Sequence, residues 1–135
     1  MRKTISARGK LEKHLDALWG DIVRRQWYGT CAWPGCFQPG NQPHHFFHRA
    51  QGNKARWNIF NGVCLCFAHH IRKVHQEGNT EPIRDALIMK IGSKTFEQLK
   101  LDVRGMWKPT MVELSELKKQ MEVLAGAGGY MKGRL

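Results

Sequence analysis

The run Asn61-Gly-Val-Cys-Leu-Cys66-Phe-Ala-His69-His70 joins a short apolar segment to four metal-binding side chains. Residues 62–66 predict a strand, and residues 68–76 predict a short helix that ends before Gly78. Cys and His are the side chains that bind structural zinc. The run therefore predicts metal ligands at the point where a strand passes into a helix.

Cysteine and histidine are concentrated in one third of the chain. Ten of the eleven Cys and His residues lie between Cys31 and His75, and only His14 lies outside. The chain also has 22 basic and 11 acidic residues, a net charge of +11 and an isoelectric point near 9.9. A solubilising surface would explain the charge alone. Together with the ligand cluster, it indicates metal chemistry beside a polyanion, most commonly nucleic acid.

The apolar segments are too short for a membrane protein. No run approaches the ~18 residues of a membrane-spanning helix, and the N-terminus is polar and basic with no hydrophobic segment after it. Four cysteines in a protein that is not exported are more often metal ligands than disulfides. We therefore expect a cytoplasmic protein with reduced thiols and no membrane partner.

Before the metal-rich region, residues 4–28 predict an amphipathic helix. Its apolar stripe consists of Leu11, Leu15, Leu18 and Ile22. Residues 31–43 contain three Pro and two Gly, which predicts a loop able to wrap a metal. The segment His44-His-Phe-Phe-His48 predicts a first strand, and residues 49–61 predict an exposed loop.

After the metal-rich region, three further helices are predicted to begin near Thr80, Ser93 and Thr110. Thr110-x-x-Glu113 has the spacing of a capping box. The last helix carries an apolar face formed by Leu114, Leu117, Met121 and Leu124. Such a face more often packs within one chain than between chains, which favours a monomer.

The sequence thus predicts a single α+β domain over residues 1–135. Its parts are an N-terminal helix (4–28), a zinc-bound ββα core (29–78), a helical extension (79–124) and a flexible tail (125–135).

Spacing favours one zinc site formed by Cys31, Cys36, Cys66 and His69. Cys66-x2-His69 has the separation usual around tetrahedral zinc, and Cys31-x4-Cys36 supplies a second pair. An all-Cys site that includes Cys64 and a chain without zinc are the alternatives. Cys64 lies between Val and Leu, so it is more simply explained as a small buried hydrophobic residue.

The remaining histidines of the cluster are His44, His45, His48, His70 and His75. His69 and His70 are neighbours on a helix, about 100° apart, so they can face different sites. Hydrolysis of a phosphodiester needs a base, a cation and a group that holds the base. His44 and His45 on the first strand, with His70 on the facing helix, would supply imidazoles for this chemistry. Surface or zinc-surrounding histidines are the alternative.

This pattern resembles the HNH endonucleases, also called ββα-metal or His-Me-finger nucleases. The resemblance rests on His44-His45-Phe46 and on the run from Asn61 to His70. The family has an acidic residue or His followed by His, and an Asn five residues before the first Cys of Cys-x2-Cys-His. The resemblance covers residues 31–75, and the flanking helices also look like those of small phage-encoded HNH proteins.

The resemblance implies a role for each matching residue. His45 would be the general base, and Asn61 would brace the loop that orients it. His44 and His70 would bind the catalytic divalent cation. His75 is a candidate third ligand, although five residues is not the spacing that aligns best with His70 on an α-helix.

The chain departs from the family pattern at three points. The Cys31-x4-Cys36 pair is wider than the common x2 spacing, and His69 replaces a zinc-binding Cys. His44 stands where an Asp is common, which favours softer cations such as Mn²⁺, Ni²⁺ or Zn²⁺, with Mg²⁺ also compatible.

The implied activity is metal-dependent hydrolysis of double-stranded DNA, by nicking or by cutting both strands, in phage or prophage DNA processing in a host cytoplasm. Arg49 and Arg56, between the two strands, are candidates for phosphate contacts, with solvated charge as the alternative for each. Two other functions remain open. One is a non-catalytic zinc-stabilised DNA-binding module, and the other is a nuclease specific for branched DNA or RNA.

Overall fold

A computed structural model describes residues 4–49 and 52–126. The described residues form a mixed α/β structure with a two-stranded antiparallel sheet and several helices. In chain order these are α1 (Ala7–Gln26), β1 (Gln42–His45), a 3₁₀ turn (Asn53–Ala55), β2 (Gly62–Leu65), a π-helix (His69–Gln76), α2 (Glu81–Ile91), α3 (Ser93–Asp102) and α4 (Met111–Gly126). The flexible tail was predicted over residues 125–135, but Ala125 and Gly126 belong to α4 and Ala125 is buried. The rest of that predicted tail, residues 127–135, lies outside the described residues.

The first and last helices pack against each other and form one part of the core. The Ser6 side chain accepts a hydrogen bond from Gly9 N (3.0 Å) and caps the start of α1. The predicted capping box begins α4, with Glu113 N donating to Thr110 Oγ1 and Thr110 N donating to Glu113 Oε1, both at 3.1 Å. The apolar faces predicted for both helices meet in this core, at Leu15 and Leu114 among others.

The sheet is short and lies on α1. Pro43 pairs with Cys64 and His44 with Val63, and all four residues of β2 are buried. The first strand was predicted over residues 44–48, but β1 ends at His45. After His45 the chain turns, because Phe46 N donates to Asn61 O (3.2 Å) and Phe47 N donates to the Asn61 side chain (2.7 Å).

Residues 49–61 were predicted to be an exposed loop, and that prediction is wrong at Gly52, Ala55, Trp57 and Asn61, which are buried. Ala55 and Trp57 are buried, each in a different part of the core. Trp57 packs with α1 and α4, and its indole Nε1 donates to Asp16 (2.9 Å). The loop is therefore anchored on α1.

The helix predicted for residues 68–76 forms as a π-helix over His69–Gln76. Glu77 N donates to Arg72 O at 3.1 Å, a bond that spans five residues instead of four. Residues five apart therefore lie on the same face of this helix, which changes the expected position of His75.

The second part of the core lies between β2, the π-helix, α2 and α3. Its buried members include Leu65, Val74, Leu87 and Phe96. Among the described residues, no helix has the length and apolar character needed to cross a membrane.

Gly62→Ala is expected to destabilise the contact between α1 and β2. A Cβ atom at Gly62 would lie 2.4 Å from Val23 Cγ2 and 3.0 Å from Trp19 Cζ2. Overpacking of this kind costs about 1–3 kcal/mol in the free energy of unfolding, which urea denaturation would measure. Gly126→Ala is the control, because a Cβ there has no neighbour within 4 Å among the described residues, and it should cause no loss. Equal stability of the two variants would contradict the packing argument.

Candidate metal centres

Four side chains from separate parts of the fold converge beside the start of the π-helix. The ligand atoms of Cys31, Cys36, Cys66 and His69 all lie within 4.8 Å of one another. Cys31 and Cys36 belong to the loop after α1, Cys66 follows β2, and His69 begins the π-helix. These residues are the set that spacing predicted for zinc.

The distances within this cluster suit a tetrahedral ion. Zinc bound by a Cys sulfur and a His nitrogen holds the two atoms about 3.6 Å apart. The Nδ1 atom of His69 lies 3.6 Å from Cys31 Sγ and 3.2 Å from Cys66 Sγ. All four cysteines are free thiols. The cluster is therefore close enough to bind a metal ion and is compatible with structural zinc.

Cys64 is not part of this cluster. It is fully buried, and its thiol donates to the carbonyl of Gly40 (3.0 Å), as expected for a small core residue. Trp33 contributes instead, since its ring stacks on His69 with 4.7 Å between centroids and 6° between planes. Sequence analysis did not identify this contact, although Trp33 lies between the first two ligands.

Burial and hydrogen bonding separate the thiols of the cluster. Burial raises the pKa of Cys31 to about 12. Burial also acts to raise the pKa of Cys66, but hydrogen bonds from the backbone of His69 and from neighbouring thiols outweigh it and lower the pKa. Bound zinc would draw all three thiols to the thiolate form, so its binding would release protons.

Three histidines form a second cluster, and two of them lie on the π-helix. The ligand atoms of His44, His70 and His75 lie within 4.8 Å of one another. The Nε2 atoms of His70 and His75 are 3.0 Å apart, close to the roughly 3.3 Å between two nitrogens on a tetrahedral ion. His75 reaches this position because it follows His70 by five residues on a π-helix. The set can therefore hold a second metal ion.

A glutamine fixes the orientation of His70. The Nδ1–H of His70 donates to Gln42 Oε1, which leaves Nε2 unprotonated and directed at the cluster. Gln42 was missed in the sequence, although a signal existed. It is two residues before His44 on the same strand, so both side chains lie on the same face.

Two histidines of this cluster, His44 and His70, favour the neutral form. Burial, followed by the proximity of His70, lowers the pKa of His44 to about 4. Burial and then His75 lower the pKa of His70. Neutral imidazoles at pH 7 have a lone pair for a cation, as a metal site requires.

His45 lies beside this cluster but contacts other groups. Its Nε2–H donates to the carbonyl oxygen of Arg56 (2.8 Å), so the lone pair is on Nδ1. The ring stacks on Trp19 with 3.8 Å between centroids and 4° between planes. Burial lowers the pKa of His45, partly offset by the Arg56 carbonyl. The residue is held in one tautomer with a free basic nitrogen.

Asn61 is the buried connection between the two ends of the β1–β2 loop. It has 0% exposure, and its Oδ1 accepts from Phe47 N (2.7 Å). Its Nδ2 donates to the carbonyls of Phe47 (2.9 Å) and Ala55 (3.1 Å). These bonds give Asn61 the position of a loop brace, next to the strand end that carries His45.

The two arginines predicted to contact phosphate differ in position. Arg49 lines a groove of about 220 Å³ together with Pro43, His48 and the four histidines of β1 and the π-helix. Arg56 has its Nε, Nη1 and Nη2 donors bonded to Asp16 and Glu12 at 2.8–2.9 Å, and its side chain is only 20% exposed. The Arg56 guanidinium is therefore paired with two carboxylates, and its contact with phosphate stays a prediction.

The chain matches no protein-family model, no curated protein and no solved structure.

Cys36→Ser and Cys66→Ser should each lose one equivalent of zinc and much thermal stability, because structural zinc contributes folding free energy directly. Metal analysis of the purified protein and thermal unfolding would measure both. Cys64→Ser is the matched control and should keep its zinc, since a Ser hydroxyl can also donate to Gly40 O. Full zinc content in both Cys36→Ser and Cys66→Ser would refute the assignment.

Gln42→Leu should weaken binding of Ni²⁺ or Zn²⁺ at the histidine cluster by roughly 10- to 100-fold, because His70 loses the acceptor that fixes its tautomer. Calorimetric titration of the zinc-loaded protein would measure the affinity. Gln38→Leu changes the same residue type in the loop after α1 and should leave it unchanged. Equal affinities in the two variants would show that Gln42 does not orient the ligand.

Proposed function

We propose that this chain is a metal-dependent endonuclease of the HNH class that hydrolyses DNA phosphodiester bonds, with a ββα-metal core around β1, β2 and the π-helix. One observation carries the proposal. The His44, His70 and His75 cluster shares a groove with His45, whose Nδ1 has a free lone pair. A module that only bound zinc would require the four ligands of the first centre and no more.

In this proposal each group of the groove has one task. A divalent ion held by His44, His70 and His75 would polarise the scissile phosphate and stabilise the leaving 3′ oxygen. His45 Nδ1 takes a proton from the attacking water, and the resulting imidazolium is stabilised by its hydrogen bond to Arg56 O. The expected products carry a 5′ phosphate. Asn61 keeps the strand end in place.

The donor set favours particular ions. All three side chains of the second cluster are imidazoles, and no carboxylate is among them. Imidazole nitrogen suits Zn²⁺ and Ni²⁺ best, whereas Mn²⁺ and above all Mg²⁺ prefer oxygen ligands. We therefore propose a softer cation for catalysis and zinc for the Cys₃His centre.

The charge distribution supports DNA as the substrate. No acidic residue lies between Asp21 and Glu77, the stretch that contains both metal centres. The basic residues in that stretch are Arg24, Arg25, Arg49, Lys54, Arg56, Arg72 and Lys73. Of these, Arg49 lies in the groove itself, where its guanidinium can bind a phosphate next to the scissile one. A monomer that processes phage or prophage DNA in a host cytoplasm is the setting we propose.

Plasmid cleavage tests the proposal. Wild-type protein supplied with Ni²⁺, Mn²⁺ or Zn²⁺ should nick or linearise supercoiled DNA, and more slowly with Mg²⁺. His45→Ala should lower the rate by about 10²- to 10⁴-fold through loss of the general base. His14→Ala, an exposed position on α1 far from the ligand cluster in sequence, is the control and should cut like the wild type.

Two results would refute the nuclease. One is a wild type that is inert with every ion, and the other is a His45→Ala variant that cuts as fast as His14→Ala. If DNA binding persisted in either case, a non-catalytic zinc-stabilised DNA-binding module would be the better description.

A further inference from the structure

The carbonyl oxygen that accepts a hydrogen bond from His45 belongs to Arg56. The side chain of Arg56 is in turn bound by acidic residues of α1. Arg56 O accepts from His45 Nε2 at 2.8 Å. The Arg56 guanidinium forms a bidentate ion pair with Asp16, in which Nε donates to Oδ1 at 2.9 Å and Nη2 donates to Oδ2 at 2.8 Å. Such a paired contact fixes the plane of the guanidinium as well as its distance.

Three further contacts fix the same assembly. Arg56 Nη1 reaches Glu12 Oε2 at 2.8 Å, one turn earlier on α1. Trp57 Nε1 donates to Asp16 Oδ1 at 2.9 Å, and the Arg56 guanidinium lies 4.7 Å from the centre of the Trp57 ring. Asp16 thus binds two successive residues of the β1–β2 loop.

A second residue of α1 contacts the ring face of His45. Trp19, three residues after Asp16, stacks on the imidazole, and its own Nε1 donates to Asn58 O at 2.8 Å. Residues three apart on an α-helix lie on the same side, so Asp16 and Trp19 contact the loop together. Trp19 contacts the ring face of His45, and Asp16 binds Arg56, whose carbonyl oxygen accepts from His45.

We propose that Asp16 is a positioning residue for His45, which acts through Arg56 to keep the imidazole in the Nε2–H tautomer with Nδ1 facing the groove. The catalytic part of this inference rests on the proposed function, while the tautomer does not. Asp16 is not among the residues that line the groove. Its part is to hold the Arg56 carbonyl where His45 can donate to it.

Asp16 has the charge that this part requires. Burial acts to raise the pKa of Asp16, but hydrogen bonds from Arg56 and Trp57 and the Arg56 charge outweigh it, so the pKa lies below its ordinary value. The carboxylate is therefore ionised at neutral pH and can accept from all three donors at once.

Two substitutions of Asp16 test the proposal. Asp16→Ala removes every acceptor, and Asp16→Asn keeps the shape with one oxygen. Asp21→Asn is the matched control, because Asp21 lies on the same helix in an exposed pair with Arg25 (3.3 Å). Nitrogen-15 NMR of the imidazoles should show the Nε2–H tautomer for His45 in wild type and Asp21→Asn. A mixture of tautomers is expected in Asp16→Ala, with Asp16→Asn between them.

The kinetic prediction is a change in kcat with little change in KM. Plasmid cleavage by Asp16→Ala should fall roughly 10- to 100-fold in kcat, because the base loses its orientation while the DNA contacts remain. Asp16→Asn should recover part of this loss, and zinc content should be unchanged in all three variants. If Asp16→Ala does not fold, Asp16→Asn alone decides, by its difference from Asp21→Asn.

Two results would overturn the inference. The first is an Asp16 variant whose His45 tautomer equals that of Asp21→Asn. The second is a loss of activity that appears in KM and not in kcat. A wild type that does not cleave would refute the proposed function instead, and the tautomer measurement would still decide the role of Asp16.

Discussion

The hydrogen bonds of one buried amide hold the central loop together. Asn61 has no access to water, so each unpaired polar atom of its side chain would cost about 1–3 kcal/mol. It satisfies them on Phe47 and Ala55, which closes the β1–β2 loop at both ends. The end of β1, the buried Trp57 and the carbonyl beside His45 all depend on that closure.

The π-helix places His75 next to His70, which an α-helix would not do. His69 and His70 are neighbours, yet one belongs to the Cys₃His cluster and the other to the histidine cluster. An α-helix would rotate His75 well away from His70. The wider turn of the π-helix instead aligns residues five apart. One helix of eight residues therefore contributes His69 to the first ligand set and both His70 and His75 to the second.

Much of the fold and of the Cys₃His cluster could be predicted from the spacing of residues in the sequence. The Cys31, Cys36, Cys66 and His69 set, the capping box at Thr110 and the α/β composition follow from spacings of a few residues. The contacts that orient His45 and His70 join residues far apart in the sequence. Gln42 lies 28 residues from His70, and its place two residues before His44 is the one local sign of that contact. Asp16 lies 40 residues from Arg56, and that contact depends on how α1 packs against the β1–β2 loop. The same limit applies to Arg56, because no residue near it in the sequence indicates that its charge is paired with Asp16 and Glu12.

The shared helix also couples thiol chemistry to the histidine cluster. Oxidation of Cys66 or Cys31 would release His69 from its ligand set, and with it the first turn of the helix that carries His70 and His75. A metal-dependent activity in the groove would then respond to the redox state of cysteines that never touch its cation. The effect of a zinc chelator would likewise report on the Cys₃His cluster as much as on an ion bound by the histidine cluster.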